Sequence, residues 1–252
     1  MTLTPEFAEF ETAYLKGENQ IVFTRLAADL DTPVSLMLKL TGAARDAFML
    51  ESVTGGEVRG RYSIIGMKPD IIWTCRGLHS QVNRQARFDP DHSEPQKGPP
   101  LDVLRALIEE SRIDLPKDMP QAAAGFFGYL GYDMIRLVEH LPNINPDPLG
   151  LPDAVMLRPS VIVVLDGVKS EVTVVSPAWV SDGQSARAAY AQAAERVMDA
   201  VRDLERALPQ VNRDLGEAAD ISPPVSNFTK SGYLSAVEKA KDYICLLYTS
   251  PS

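Results

Sequence analysis

Phe48-Met-Leu-Glu-Ser-Val-Thr-Gly-Gly-Glu-Val-Arg-Gly-Arg-Tyr-Ser-Ile-Ile-Gly66 holds two apolar runs separated by a glycine-rich turn. The first run ends in an acid and a hydroxyl, Glu51 and Ser52, and the second opens on Arg61-Tyr62-Ser63. Short apolar runs bounded by glycine read as strands, and a short link between two of them favours antiparallel pairing. This layout sets a fixed negative charge, a hydroxyl and an aromatic ring beside one sheet edge.

Working outward, Thr32-Pro33 is a helix start, with a hydroxyl at the N-cap and proline where its missing N–H costs nothing. Gly42 stops the run that carries Leu36, Met37 and Leu40, so a helix is expected over Pro33 to Thr41. Strands are expected at Ala47 to Glu51, Arg61 to Gly66 and Ile71 to Cys75, the last turning at Arg76-Gly77 into Leu78 to Val82. Residues 84–100 hold four prolines, much charge and little apolar content, which predicts a mobile surface loop. Leu101, Leu104, Leu107 and Ile108 mark a helix face. Gly125, Gly128 and Gly131, in an aromatic run, predict a buried strand approached closely by another chain segment. Tyr132 to Leu141 reads as a helix halted by Pro142.

Asp166-Gly167 between Ser160–Leu165 and Glu171–Val175 is a hairpin signal. Ser185 to Leu208 carries Tyr190, Ala194, Val197, Val201, Leu204 and Leu208 at spacings of three or four, an amphipathic helix ended by Pro209. Residues 210–226 are polar and contain Pro223-Pro224, which predicts a linker. A last helix from Lys230 places Tyr233, Val237, Ala240 and Ile244 on one face. The expected class is α+β, a mainly antiparallel sheet with helices packed outside it.

The chain has 252 residues, 45% of them hydrophobic, enough for a substantial core. Its 34 acids against 25 bases leave a net charge of -9, so no basic stripe is available to hold nucleic acid. Cys75 and Cys245 are the only cysteines, which excludes a disulfide framework and a cysteine-based metal site. No apolar run approaches the length of about 20 residues that spans a bilayer, so no membrane role is expected. Reduced thiols and an N-terminus without an apolar signal segment predict a cytoplasmic protein.

Gly55-Gly56-Glu57-Val58-Arg59-Gly60 lacks the Gly-Lys-Ser/Thr ending of a phosphate loop. Gly125, Gly128 and Gly131 lack dinucleotide spacing. His79, His92 and His140 stand apart from any paired cysteine or suitably spaced acid, so neither a metal site nor a nucleophilic triad is supported. Glu109 and Glu110 fall on different sides of one helix and are expected to face solvent. No catalytic or metal-binding residue is identified.

Four blocks together resemble the amino-terminal part of the anthranilate synthase component I family, which uses chorismate. They are Leu50-Glu51-Ser52, Gly60-Arg-Tyr-Ser-Ile-Ile-Gly66, Gly125-Phe-Phe-Gly-Tyr-Leu-Gly-Tyr-Asp133 and Asn227-Phe228-Thr229. The resemblance covers roughly Phe23 to Ile244. It implies an N-terminal extension over 1–22, a tryptophan-sensing domain over 23–209, a linker over 210–226, and the start of the chorismate-binding catalytic domain over 227–244. Cys245 to Ser252 breaks the helix pattern and reads as a non-native tail, so the chain is expected to be a truncated form of that fold.

The resemblance implies a parent lyase that converts chorismate and ammonia into anthranilate and pyruvate in tryptophan biosynthesis. Its implied partners are chorismate, L-tryptophan as feedback inhibitor, and a glutamine amidotransferase subunit, component II, that supplies ammonia. Mg²⁺ is the implied cofactor, with ligands in sequence that this chain does not contain, so this chain alone is expected to be inactive. Leu50, Glu51 and Ser52 are implied to form half of the tryptophan pocket. Glu51 suits the ammonium of tryptophan and Ser52 its orientation. Arg61 and Tyr62 are candidates for its carboxylate and for the indole wall, with a structural role for either standing beside this reading. Two alternatives remain: a fragment of aminodeoxychorismate synthase component I, and a stand-alone amino-acid-binding module.

Overall fold

Two long paired strands organise the sheet, and every other strand is arranged by which end of them it joins. In the computed structural model, which describes residues 2–42, 44–51, 60–142, 146–208 and 222–249, these are β3 (Tyr62–Arg76) and β7 (Ala154–Asp166). They pair antiparallel from Tyr62 opposite Asp166 to Cys75 opposite Ala154. Around one end, β8 (Glu171–Ala178) and β1 (Gln20–Ala27) extend the sheet beyond β7, and β2 (Phe48–Leu50) pairs with β3. Around the other, β6 (Phe127–Leu130) joins β7, while β4 (His79–Asn83) and β5 (Glu94–Pro95) extend beyond β3. All eight strands are antiparallel, and the expected α+β class is what the chain adopts.

The two strands expected at Arg61 to Gly66 and Ile71 to Cys75 are one strand, which passes through Pro69. Proline cannot donate to a ladder and is tolerated at bulges. The register shifts between Pro69 and Ile71, and Lys68 takes a positive φ of 52°, so the bulge absorbs the proline and β3 continues.

Helix α2 (Pro33–Thr41) forms residue for residue as its caps dictate. Thr32 Oγ1 accepts from Ser35 N at 3.1 Å, Ser35 Oγ accepts from Thr32 N at 2.9 Å, and Gly42 closes the helix at φ 53°. Helix α4 (Ala186–Leu204) is capped by Ser185, whose hydroxyl accepts from Ala188 N. It ends at Leu204, before Pro209, and Leu208 is exposed. Leu36 and Leu40 of α2 and Val197, Val201 and Leu204 of α4 cover Ile65, Met67, Val161, Val163, Val172 and Val174 on one sheet face. Helix α1 (Phe7–Tyr14) joins that layer through Phe10 and Tyr14 against Ala186, Ala189 and Ala193.

A separate cluster gathers Ile21, Phe23, Ile162, Val164 and Val175 under Met119 and Ala123. Residues buried on both faces of β7 read as a continuous Val161-Ile162-Val163-Val164 run, each fully buried side chain stabilising by about 1.5–3 kcal/mol. At the far end, helix α3 (Pro100–Glu110) sets Leu104 and Leu107 against Trp73, Cys75 and Val82. Trp73 is fully buried and its Nε1 has no acceptor among the described residues, a loss of about 1–3 kcal/mol that its packing offsets.

Three further expectations are corrected. The segment expected as a mobile loop over 84–100 is folded against the sheet. Asn83 Nδ2 donates to Asp89 O, Gln96 N donates to Ser80 O, and Ala86 is buried, because backbone groups at the edge of β4 supply the partners that its side chains lack. The glycine-rich strand β6 is an exposed edge rather than buried, although the close approach is real at Gly128, where a Cβ would overlap the Val155 carbonyl oxygen. Tyr132–Leu137 forms a short 3₁₀ helix instead of an α-helix reaching Leu141.

Chain contacts divide the molecule into Met1–Pro209 and Gln210–Ser252. In the second unit, Thr229 Oγ1 accepts from Gly232 N at 3.1 Å and begins helix α5 (Lys230–Thr249). This helix continues through Cys245 to Thr249, so the expected break at 245 does not occur: no glycine or proline lies between Tyr233 and Thr249 to force one. Tyr233, Leu234, Val237, Tyr243, Ile244 and Leu246 are exposed.

Candidate functional site

The residues singled out from sequence converge on the corner where β2 meets the start of β3. Leu50 pairs with Ile64, and continuing that register sets Glu51 across from Ser63. Both Leu50 and Glu51 are exposed, and Ser52 lies outside the described residues. Arg61 and Tyr62 lead into β3 from the opposite side of the link.

Arg61 is held by a partner 105 positions away. Its Nε and Nη2 donate to Asp166 Oδ1 and Oδ2 at 2.9 and 2.6 Å, and its carbonyl accepts from Gly167 N at 2.9 Å. The Asp166 carboxylate also accepts from Val168 N and Lys169 N in the turn between β7 and β8. The Arg61 guanidinium and these amides hold the Asp166 carboxyl below its ordinary range against the opposing effect of burial. A two-pronged clamp of this kind fixes geometry as well as charge. It ties the entry of β3 to the hairpin and leaves the guanidinium 5.0 Å above the Tyr62 ring.

Tyr62 and Ile64 are half-buried against the cluster of Ile21, Phe23, Ile162 and Val164, together with Phe127. Phe48 reaches across β3 to stack on Phe127, with ring centroids 4.9 Å apart and planes 27° from parallel. The ring passes over Gly66, where any Cβ would overlap it. Glycine is therefore required at 66 for room. Phe48, Tyr62, Ile64 and Phe127 form an apolar wall on one face of the corner, whereas by the same register Glu51 falls with Met49 and Ile65 on the other face, exposed at the strand edge. Chemically the wall can receive an apolar or aromatic group, and a cation such as an ammonium would meet Glu51 only around the strand edge.

Sequence reasoning missed Asp166 as the anchor of Arg61, and missed the Phe48–Phe127 stack. The acid was visible as the first residue of the Asp-Gly turn, but its pairing depends on the β3–β7 register. Glu109 and Glu110 are exposed, as expected, and Glu110 in addition accepts from Arg84 Nη1 and Nη2 at 2.8 and 3.0 Å, because the segment after β4 lies against the end of α3. Among the described residues, no group of three His, Cys, Asp or Glu side chains is placed to hold a metal ion. No helix among them is long and apolar enough to cross a membrane.

Comparison with known proteins supplies relatives. Residues 68–245 match the family model described as chorismate binding enzyme. The chain is 70% identical over 238 residues to anthranilate synthase component 1 of Cereibacter sphaeroides, covering 94% of this chain and 47% of that protein. It is 33% identical over 226 residues to the Thermus thermophilus protein of the same name, covering 86% and 42%. A crystal structure of anthranilate synthase component I from Streptococcus pneumoniae shares the fold, with a TM-score of 0.51 at 24% identity over 87% of this chain and 45% of that one. The chain spans about half the length of the curated relatives it matches.

Proposed function

From the premise that this chain belongs to the chorismate-binding enzyme family, as part of an anthranilate synthase component I, we propose that it carries half of a tryptophan feedback site for that enzyme. The observation that carries this reading is the 70% identity over 94% of the chain. In this reading the parent enzyme is a cytoplasmic lyase of tryptophan biosynthesis. It takes chorismate and ammonia to anthranilate and pyruvate, the ammonia coming from a glutamine amidotransferase subunit. Residues 23–209 are the sensing domain, 210–226 a linker and 227–244 the start of the catalytic domain.

Glu51 receives the tryptophan ammonium, Ser52 orients the amino acid, and Leu50 with Tyr62 lines the indole. Arg61, whose Nε and Nη2 are engaged by Asp166, fixes Tyr62 and keeps its Nη1 for the ligand carboxylate. A charge-assisted bond from Glu51 is worth on the order of 1.5–3 kcal/mol when water is excluded. The other wall of the pocket belongs to sequence beyond this chain. Mg²⁺ is implied for the parent, and the described residues of this chain offer no ligand set that fits it.

Two measurements test the reading. In isothermal titration, L-tryptophan should bind this chain weakly, and Glu51→Gln should remove what binding there is. Micromolar affinity in the chain alone would favour a self-sufficient amino-acid-binding module instead. Given chorismate, Mg²⁺ and ammonium, the chain should form no fluorescent anthranilate; turnover above background would refute its dependence on further sequence for catalysis.

A further inference from the structure

Away from the β2–β3 corner, a cleft of about 400 Å³ opens beside the end of β8 and the first turns of α4. Three arginines line it, Arg87, Arg158 and Arg196, against one acid, Asp70. Asp70 is already engaged: both of its oxygens accept from Arg158 at 2.8 Å. Arg158 is buried, also donates to Ser111 Oγ at 2.7 Å, and lies over the Trp179 ring at 4.2 Å. That pair is balanced within itself.

Arg196 and Arg87 are not balanced. Arg196 Nε donates to Ser176 Oγ at 2.8 Å and Nη2 to the Pro177 carbonyl at 2.9 Å, both neutral acceptors. Ser176 is fully buried and its hydroxyl donates on to Ser160 O, so the guanidinium rests on a closed, uncharged floor. Among the described residues no carboxylate lies within ion-pair distance of Arg196 or of Arg87. Burial, then the like charge of Arg87, push the Arg196 guanidinium down to about 10, with Asp70 and Glu195 opposing. A partly dehydrated cation whose hydrogen-bond acceptors are both neutral is costly, and the like charge of the exposed Arg87 adds to that cost. On a chain of net charge -9, two arginines in one concavity without an ion pair among the described residues mark a place for an anion.

The donors come from three segments: Arg87 after β4, Gln184 before α4, and Gln192 with Arg196 on α4. Gln184 Nε2 donates to Gln192 Oε1 at 3.1 Å, which directs the Gln192 amide and leaves its Nε2 without an acceptor among the described residues. One guanidinium fork satisfies a planar carboxylate, whereas donors from several segments suit a tetrahedral anion. We propose that this cleft binds a small tetrahedral dianion, free phosphate or the phosphate of a small monoester, between Arg87 and Arg196 with Gln192 as a further donor. This proposal is independent of the tryptophan reading.

The chain contains two tryptophans, and only Trp179 lines the cleft, Trp73 being fully buried. The whole chain is titrated with inorganic phosphate, and separately with glycerol phosphate, at ionic strength held constant with sodium chloride. Binding is read by tryptophan emission and by isothermal titration. Saturable binding of either is expected, and preference for one identifies the source. Arg87→Gln should weaken it roughly tenfold or more, the loss of a charge-assisted contact. That side chain is exposed, without an ion pair among the described residues and 5.8 Å from the Phe88 ring centroid, so melting without the anion should change little. Arg196→Gln should weaken binding further; if it fails to fold, Gln192→Ala takes its place with a smaller loss. A response matched by chloride alone, no heat in either titration, or an unchanged affinity in Arg87→Gln overturns the proposal.

Discussion

Replacing Gly66 by alanine tests the β2–β3 corner with one methyl group. Gly66 lies in ordinary extended backbone opposite Phe48 on one side and Ile162 on the other, so no left-handed conformation is at stake. The added Cβ would overlap Phe48 Cζ and Cε1 and meet Pro159 Cγ at 3.0 Å. Either the Phe48 ring swings off Phe127 or β2 moves away from β3. Overpacking costs about 1–3 kcal/mol and a lost aromatic stack about 0.5–1.5, so the variant should lose about 2–4 kcal/mol. At about 2–4 °C per kcal/mol for a domain of this size, melting should fall by roughly 5–15 °C. The decisive measurement is a double-mutant cycle with Phe48→Leu, followed by urea denaturation. Phe48→Leu alone should cost about 1–2 kcal/mol, because the side chain is half-buried. In its background the Gly66→Ala penalty should drop by at least about 1 kcal/mol, since the obstructing ring end is gone. Penalties that add within about 0.5 kcal/mol, or an unaltered melt for Gly66→Ala, would refute the seating of Phe48 over Gly66.

Gly128→Ala should be as damaging but beyond rescue by trimming a side chain. Its Cβ would overlap the Val155 carbonyl oxygen and sit 3.0 Å from Met156 Cα, so a loss of about 2–3 kcal/mol in urea denaturation is expected, and a neutral result would contradict the β6–β7 pairing. Asp166 carries a pH signature. Its folded-state pKa is lowered below the unfolded value of 3.8, so its stabilisation is complete above that pH and is lost as pH falls through the lower, folded value. The stability gap between the native chain and Asp166→Asn should be constant from pH 7 to about 5 and should narrow toward pH 3; a gap independent of pH would show the clamp contributes nothing. Arg158→Met leaves Asp70 and Ser111 without their shared donor and should cost about 3 kcal/mol, measured by thermal and urea denaturation; a change under about 0.5 kcal/mol would argue against a buried clamp.

Local chemistry made part of this fold legible. Helix α2 follows from Thr32, Pro33 and Gly42, and the β7–β8 hairpin from Asp166-Gly167, because caps and tight turns are fixed by residues a few positions apart. Pro69 misled because a bulge is a property of two strands, and the partner of β3 lies about 90 positions downstream. Residues 84–100 misled because composition registers what side chains can bury, not the backbone bonds available at a sheet edge. At the corner, Leu50, Glu51, Arg61 and Tyr62 were legible as neighbours across a short link. The engagement of Arg61 by Asp166 was not, since it depends on pairing that links positions 105 apart. An arginine inside the apolar run Met156-Leu157-Arg158-Pro159 was the one local sign of the second cleft. A charge at such a position requires a buried partner.

The register shift between Pro69 and Ile71 acts as an expansion joint. Pairing on its two sides is set by different neighbours, with β8 and β2 on one and β6 and β4 on the other. A residue inserted or deleted there is taken up by the kink instead of inverting every inward-facing side chain downstream. The end bearing Trp73 can therefore be remodelled without re-threading the end bearing Glu51, and grafting the Glu51 end onto a different far end should preserve its strand alignment.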